Sequence, residues 1–410
     1  MKKYFWIMAL LLLGGWHIGL SAQQTEDNSV SHEVNKAHPM DSVDISLLTC
    51  SPHQEVYSLY GHTAIRVNDR RTGRDIAVNY GMFSFAKPYF VLRFVFGLTD
   101  YEMGIEGFED FCRFYAYYGS SVTEQMLDLL PEEKIRILQA LEENYRPENR
   151  VYRYNYFYDN CTTRARDMIA DHLNGKVRYR EEEKYPSFRE LIHEWNKEHP
   201  WARFGNDMLL GIKADQHTTI GEQQFIPANT MRDFDQAYIV DEHGEKRPLV
   251  GCKMIVVPAR EQVVEKEFPL RPRTCAIILF VVTWLVSIIE RGRQKIYWGY
   301  DLLLMLASGL AGCILFVMIF SQHPTVNINL QILLLNPLPL FFIRRMIRRT
   351  RKHLPDSQYL YWTFLIMIAM AGRLLQHYAE GMFIVALSLL FRNIWRYGYQ
   401  LKYDKKEYHQ

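Results

Sequence analysis

The sequence lacks the short motifs by which many hydrolases and metalloenzymes declare themselves. No G-x-S-x-G surrounds any serine, which argues against a serine nucleophile elbow. Cys-x-x-Cys pairs and glycine-rich phosphate loops are absent, so neither a zinc ribbon nor a phosphate cradle is indicated. "HEWNKEH", from His193 to His199, does not have the H-E-x-x-H spacing of a zinc helix. No metal and no cofactor is therefore expected. An excess of one charge is lacking too, with 48 Lys and Arg against 46 Asp and Glu. That balance hides a split. Residues 271–410 carry 17 basic and 6 acidic side chains, whereas residues 1–270 carry 31 and 40. The acidic front half argues against nucleic acid as a partner.

What is present begins with a targeting segment. Lys2 and Lys3 precede an apolar run from Phe5 to Leu13, and "GLSAQQ" offers a cleavage site after Ala22. Residues 1–22 read as a signal peptide, the alternative being an uncleaved anchor helix. No lipobox cysteine follows. Residues 23–43 are polar, without an apolar period, and read as a flexible lead-in to an exported domain over 44–270. Residues 271–400 read as a transmembrane domain, with spans near 274–290, 301–320, 328–343, 359–375 and 381–391. Pro337 and Pro339 break the third, and the last two are short. "RGRQKIYWG" and "RRMIRRTRKH" are basic, as is the chain after Phe391, while "SQHPTVNIN" and "GRLLQHYAEG" hold only Arg373. Basic connections stay cytoplasmic. The alternation places the domain before residue 270 outside and the tail, 401–410, inside. This predicts a multi-pass protein of the bacterial inner membrane with a periplasmic domain.

Within that domain, "DISLLTC", "EVYSLYGHTAIRV" and "RDIAVNYGMFSF" alternate as strands. The last two form a hairpin turning at Gly73. A helix is expected over 105–118, a strand over 120–127 and a helix from Pro131, with Ile135, Leu138 and Leu141 on its inner face. The tyrosines and phenylalanines of 80–118 and 152–158 read as core, the alternative for those of 83–96 being docking at the level of the lipid headgroups. "DNCTTRARDMIADHL" starts a helix capped by Asp159 or Asn160. Cys161 sits in its first turn, where the positive end of the helix dipole favours a thiolate. His62 is the candidate base. Asn79 on the partner strand is the first choice for the group that orients it, Asp159 the second. The competing readings are a packed thiol at 161 and a core histidine at 62. Cys50 and Cys112 are rival thiols that could also bridge each other. Arg164, Asn160 and Tyr80 are candidates for binding substrate, Arg164 through a lipid phosphate.

"LLTCSP", "YSLYGHTAIRV", "NYGMFSF", "FVFG" and "YNYFYDNCTTRARD" resemble elements of the DUF4105 family, also described as the Lnb N-terminal periplasmic domain. "GNDMLLGIKADQHTTIGEQQFIP", which holds Asp207 and Asp215, and "HPTVNINLQILLLNP" continue the likeness over about residues 44–400. The resemblance implies an α+β exported domain with a permuted papain-like fold (NlpC/P60- and LRAT-like). An antiparallel sheet would carry the histidine ahead of the Cys-bearing helix, and a bundle of about five transmembrane helices would follow. Carried over, Cys161 is the nucleophile and His62 its base. The implied activity is lipoprotein N-acyl transfer, with a phospholipid acyl donor, a lipoprotein acceptor and a thioester on the cysteine. A Cys–His hydrolase (a phospholipase or a peptidoglycan endopeptidase) and a non-catalytic membrane sensor or assembly protein are the alternatives.

Overall fold

The structure, a computed structural model, describes residues 38–53, 58–83, 88–182, 184–262 and 268–407. The signal peptide and most of the lead-in lie outside these. Pro39–Ser42 already form a 3-10 turn, and the sheet begins at Val43.

Strands β1 (Val43–Cys50), β2 (His62–Asp69), β3 (Arg74–Met82), β4 (Asp100–Gly107), β5 (Val122–Leu127) and β6 (Val151–Arg153) come first. Strands β7 (Lys176–Arg178), β8 (Tyr238–Val240) and β9 (Lys246–Pro248) form a small separate sheet ahead of β10 (Val250–Val257). Among the described residues the large sheet runs β10-β5-β1-β2-β3-β4-β6, antiparallel throughout. Side chains of successive residues point to opposite faces. Ile45, Leu47, Ile65 and Val78 therefore share one core with α3 (Pro131–Tyr145) and α4 (Cys161–Ala170) through Ile137, Leu141, Ala165 and Ile169. Leu48, Cys50, Ala64 and Ala77 face the other way, against Phe111 and Tyr115 of α2 (Phe108–Tyr117), which follows the short α1 (Phe90–Val95).

Three local expectations are corrected. The helix expected from residue 105 starts at Phe108, because Ile105–Gly107 end β4, where alternate residues Tyr101 and Met103 fill the core. The strand expected over 55–67 starts only at His62. Ser58–Gly61 form a turn closed by Gly61 N donating to Ser58 O (2.9 Å), and residues 54–57 lie outside the described set. Gly61 has φ +81°, and a Cβ there would fall 2.4 Å from Cys50 O, so only glycine fits. On α3 the buried apolar pair is Ile137 and Leu141, not Ile135.

Beyond residue 270 come helices over Pro272–Arg293, Trp298–Met318, Leu338–Arg351, Gln358–Gly372 and Met382–Glu407. Among the described residues three stretches are long and apolar enough to cross a membrane: Pro272–Arg293, Trp298–Met318 and Leu330–Arg351. Gln358–Gly372 is apolar and shorter. The segment expected near 328–343 is a 3-10 turn, Leu330–Leu333, then a break, then helix from Leu338. Irregular backbone at such depth must be covered by protein. Here Gly312 covers it: a Cβ on Gly312 would lie 2.2 Å from the Asn336 carbonyl carbon. Gly312→Ala is therefore expected to cost about 1–3 kcal/mol, read as a lower unfolding temperature in detergent. The last helix continues to Glu407, through most of the stretch expected as the tail.

Connections 319–337 and 373–381 pack on the N-terminal domain. Ile212 N donates to Ile328 O (2.9 Å), Gln331 Nε2 to Asp207 O (2.8 Å) and Gln376 Nε2 to Leu210 O (3.1 Å). His377 N donates to Asp215 Oδ2 (3.0 Å). Asp207 and Asp215 both pair with the buried Arg189 guanidinium, at 2.8 and 2.6 Å, so these aspartates anchor the junction between the two domains. The basic connections lie at the opposite helix ends. Two arginines of the C-terminal segment are not topology signals at all: Arg392 bonds Glu290 and Asp301, and Arg396 pairs with Asp301 at 2.9 Å, all buried. Charges taken into a helical bundle need such partners.

Candidate active site

Asn160 sets where α4 begins. Its Oδ1 accepts from Thr162 N (2.9 Å) and Thr163 N (3.0 Å), and its own N–H donates to Thr163 Oγ1 (2.9 Å). Of the two expected caps it is therefore Asn160 that acts. Its Nδ2 donates to Tyr156 O and Phe225 O, both at 2.9 Å, so the side chain is spent on structure rather than on substrate. Asp159 instead grips Arg164 (2.6 and 2.8 Å), whose guanidinium lies 3.6 Å from the centre of the Tyr152 ring. Asp159 is thus not the partner of His62, and the Arg164 charge is already matched. Tyr80 is buried in the sheet core, its hydroxyl donating to Asn144 Oδ1 (2.9 Å), which removes it from the substrate-binding set.

Cys161 and His62 meet. The His62 side chain and the Thr63 backbone N–H act on the thiol, whose Sγ lies 3.8 Å from Thr162 Oγ1. Burial alone would push the thiol up. The His62 charge, its hydrogen bond and those from Thr63 and Thr162 outweigh it, and Cys161 ends below its ordinary value. For His62, burial works against the cation. The Cys161 charge, hydrogen bonds to Cys161 and Asn79, and the Glu106 charge reverse this, and the imidazole is raised. Both shifts favour a thiolate–imidazolium pair. The rival thiols go the other way: burial pushes Cys50 well up and Cys112 to about 11. All six cysteines are free, so Cys50 and Cys112 do not bridge.

Asn79 faces the histidine, with His62 Nε2 3.0 Å from Asn79 Oδ1. Behind it, Asn79 Nδ2 donates to Glu106 Oε1 (2.6 Å). A carboxylate only accepts, so Glu106 turns the amide and leaves Oδ1 for His62. Nε2 must then donate, and Nδ1 is the ring nitrogen left for the sulfur. Burial raises Glu106, with the Asn79 hydrogen bond and the His62 charge opposing.

A glycine stands beside Cys161 where β3 meets β4. The β3–β4 register slips between Asn79 and Met82, and Gly81 sits there with φ +89°. A Cβ at Gly81 would lie 3.6 Å from Cys161 Cβ and 3.9 Å from both Tyr101 Cδ2 and Tyr152 Oη. The Tyr152 hydroxyl is buried and has no hydrogen-bond partner among the described residues. Sequence reasoning missed Glu106, Gly81 and Tyr152. Glu106 lies on the strand read as helix, and Tyr152 lies in a run read as core.

The architecture defines a membrane-anchored α+β domain that holds a Cys–His pair at the start of a helix. Residues 31–194 match the family model described as the Lnb N-terminal periplasmic domain, and residues 263–404 match that of the Lnb transmembrane domain, a five-helix unit. Together they cover about three quarters of the chain, which belongs to the Lnb family. It is a membrane protein of lipoprotein processing whose N-terminal domain is periplasmic. No curated protein and no solved structure matches it.

Proposed function

We propose that this chain is an inner-membrane lipoprotein N-acyltransferase working through a Cys161 thioester. The observation that carries the reading is the placement of Cys161 in the first turn of α4 beside a His62–Asn79–Glu106 chain, and the thiols are treated oppositely. Cys161 is made more acidic by a hydrogen-bonded histidine, while Cys50 and Cys112 are made less so. The order of elements, with a strand His ahead of a helix Cys on an antiparallel sheet, suits a permuted papain-like fold.

In the first half-reaction the thiolate attacks the ester carbonyl carbon of a phospholipid. The C–O bond breaks, and the His62 imidazolium gives its proton to the departing alkoxide. In the second, the α-amine of a diacylglyceryl-cysteine lipoprotein attacks the thioester. His62 takes the amine proton, the C–S bond breaks, and the thiolate and imidazolium are restored. Asn79 holds the ring, and Glu106 holds Asn79. The Cys161 N–H, which the helix cap does not use, and the Tyr152 hydroxyl are the donors for the oxyanion. Tyr152→Phe is accordingly expected to slow transfer about 100-fold while leaving the rate of Cys161 alkylation by iodoacetamide unchanged.

The membrane domain suits a lipid donor. Exposing acyl chain to water costs about 0.8 kcal/mol per CH₂, on the order of 20 kcal/mol for a two-chain lipid. A donor that stays in the bilayer avoids this cost. The test is mass spectrometry of the N-terminal lipopeptide of a model lipoprotein incubated with the wild-type chain and phospholipid. The expected result is the gain of one acyl mass on the α-amine. Free fatty acid without that gain would make the chain a hydrolase, and neither product would sink the enzyme reading.

A further inference from the structure

We propose that the short helix Phe90–Val95, with Tyr89 before it, is a ledge that dips into the lipid leaflet on the periplasmic side, beside the end of the second membrane helix. The tyrosines and phenylalanines of this stretch were expected to be core. Phe83 is, stacking on Tyr101 with ring centres 4.9 Å apart. Tyr89, Leu92 and Phe94, however, are 77, 55 and 43% exposed. From Pro88 to Leu98 the only charged side chain is Arg93, and it turns back to Asp100 Oδ2 (2.6 Å) and Leu98 O (3.2 Å). The outward surface is thus apolar and aromatic, the composition that settles at the boundary of headgroups and acyl chains.

Its position names the occupant. Gln322 N donates to Phe96 O (3.0 Å), and a Cβ at Gly97 would come within 3.2 Å of the Gln322 side chain. The Phe94 ring lies 6.2 Å from that of His323. Gln322 and His323 come shortly after the helix Trp298–Met318; Phe316 in its last turn and Phe320 just beyond its end are exposed. The ledge therefore continues the apolar surface of a membrane-crossing helix at its periplasmic end, and a lipid leaflet is what borders that surface. The other end of the ledge is tied to the site. Asp100, held by Arg93 and by Arg153 Nε (2.8 Å), opens β4, and its neighbour Tyr101 lies beside Gly81. Seven Cα-to-Cα steps separate Met82 from Tyr89, so the two lie within about 25 Å of each other.

The inference rests on the membrane domain and not on acyl transfer, and its test needs no activity. The photo-crosslinker p-benzoylphenylalanine is placed at Leu92, or at Tyr89, in the full chain in phospholipid nanodiscs. Leu310, 60% exposed on the membrane helix, serves as positive reference, and Ile255, 67% exposed on the edge strand β10, as negative. Mass spectrometry after illumination is expected to show a phospholipid adduct at Leu92 and Tyr89 within about threefold of the Leu310 yield, and none at Ile255. A yield at Leu92 and Tyr89 no greater than at Ile255 would overturn the proposal. So would crosslinks from Leu92 to a second copy of the chain in place of lipid. Retained fast alkylation of Cys161 in each variant shows that the domain is folded.

Discussion

Cys161→Ser is expected to lower acyl transfer about 10⁴-fold or more while the domain stays folded. The replacement keeps the helix start, because the cap is built by Asn160 and by the N–H groups of Thr162 and Thr163, none of which the sulfur supports. What is lost is the anion. The surroundings that hold a thiolate, namely the His62 charge and hydrogen bonds from His62, Thr63 and Thr162, act on a group that ordinarily ionises near 9. A serine hydroxyl lies far above that range, and the same neighbours do not bring it within reach of neutral pH. Cys50→Ser and Cys112→Ser are expected to keep the rate within about threefold, since burial already holds both thiols neutral. Transfer that survives Cys161→Ser, with an unchanged circular dichroism spectrum in both proteins, would remove the thioester.

His62→Ala gives the second large effect, expected at about 10²–10⁴-fold on transfer, and it carries a pH signature. In the wild type Cys161 is lowered, so alkylation by iodoacetamide sets in at a lower pH than for an ordinary thiol and persists where Cys50 and Cys112 are inert. Without His62 the largest remaining influence is burial, which raises the thiol. The alkylation edge therefore moves up, and labelling near pH 7 falls. Tyr101 of β4, Tyr152 of β6, Tyr154 and Tyr156 after it, Tyr115 of the helix Phe108–Tyr117 and Cys50 of β1 also couple to this sulfur. Each is itself raised by burial and stays neutral near pH 7, so none compensates for the lost imidazolium. Glu106→Gln should act in the same direction and more weakly, because the amide still accepts from Asn79 Nδ2 but no longer supplies a negative charge. An alkylation edge unmoved in His62→Ala would mean that the two side chains do not work as a pair.

The parts of the site that could be read along the chain are those made by short-range contacts. The start of α4 at Cys161 follows from a cap whose hydrogen bonds span two or three residues, and such bonds leave a signature in "DNCTT". His62 and Asn79 were within reach because a tight turn fixes the pairing of β2 with β3. The supporting shell was not. Glu106 reaches Asn79 only through the β3–β4 pairing, and β4 is a glycine-containing strand directly followed by an amphipathic helix, whose pattern masked it. Asn160 and Tyr80 looked available because their partners, Phe225 and Asn144, lie 65 and 64 residues away.

From the sequence alone one could know that an exported α+β domain precedes a membrane bundle, and that a cysteine at a helix start and a histidine on a strand were the pair to watch. Hydropathy, charge asymmetry and capping are properties of neighbouring residues, so they survive in one dimension. Only the tertiary structure decided which thiol is acidified, which amide turns the imidazole, that Gly81 lies beside Cys161, and that the Tyr152 hydroxyl has no partner there among the described residues. Those outcomes depend on burial and on registers between distant strands, and dielectric and distance act in three dimensions.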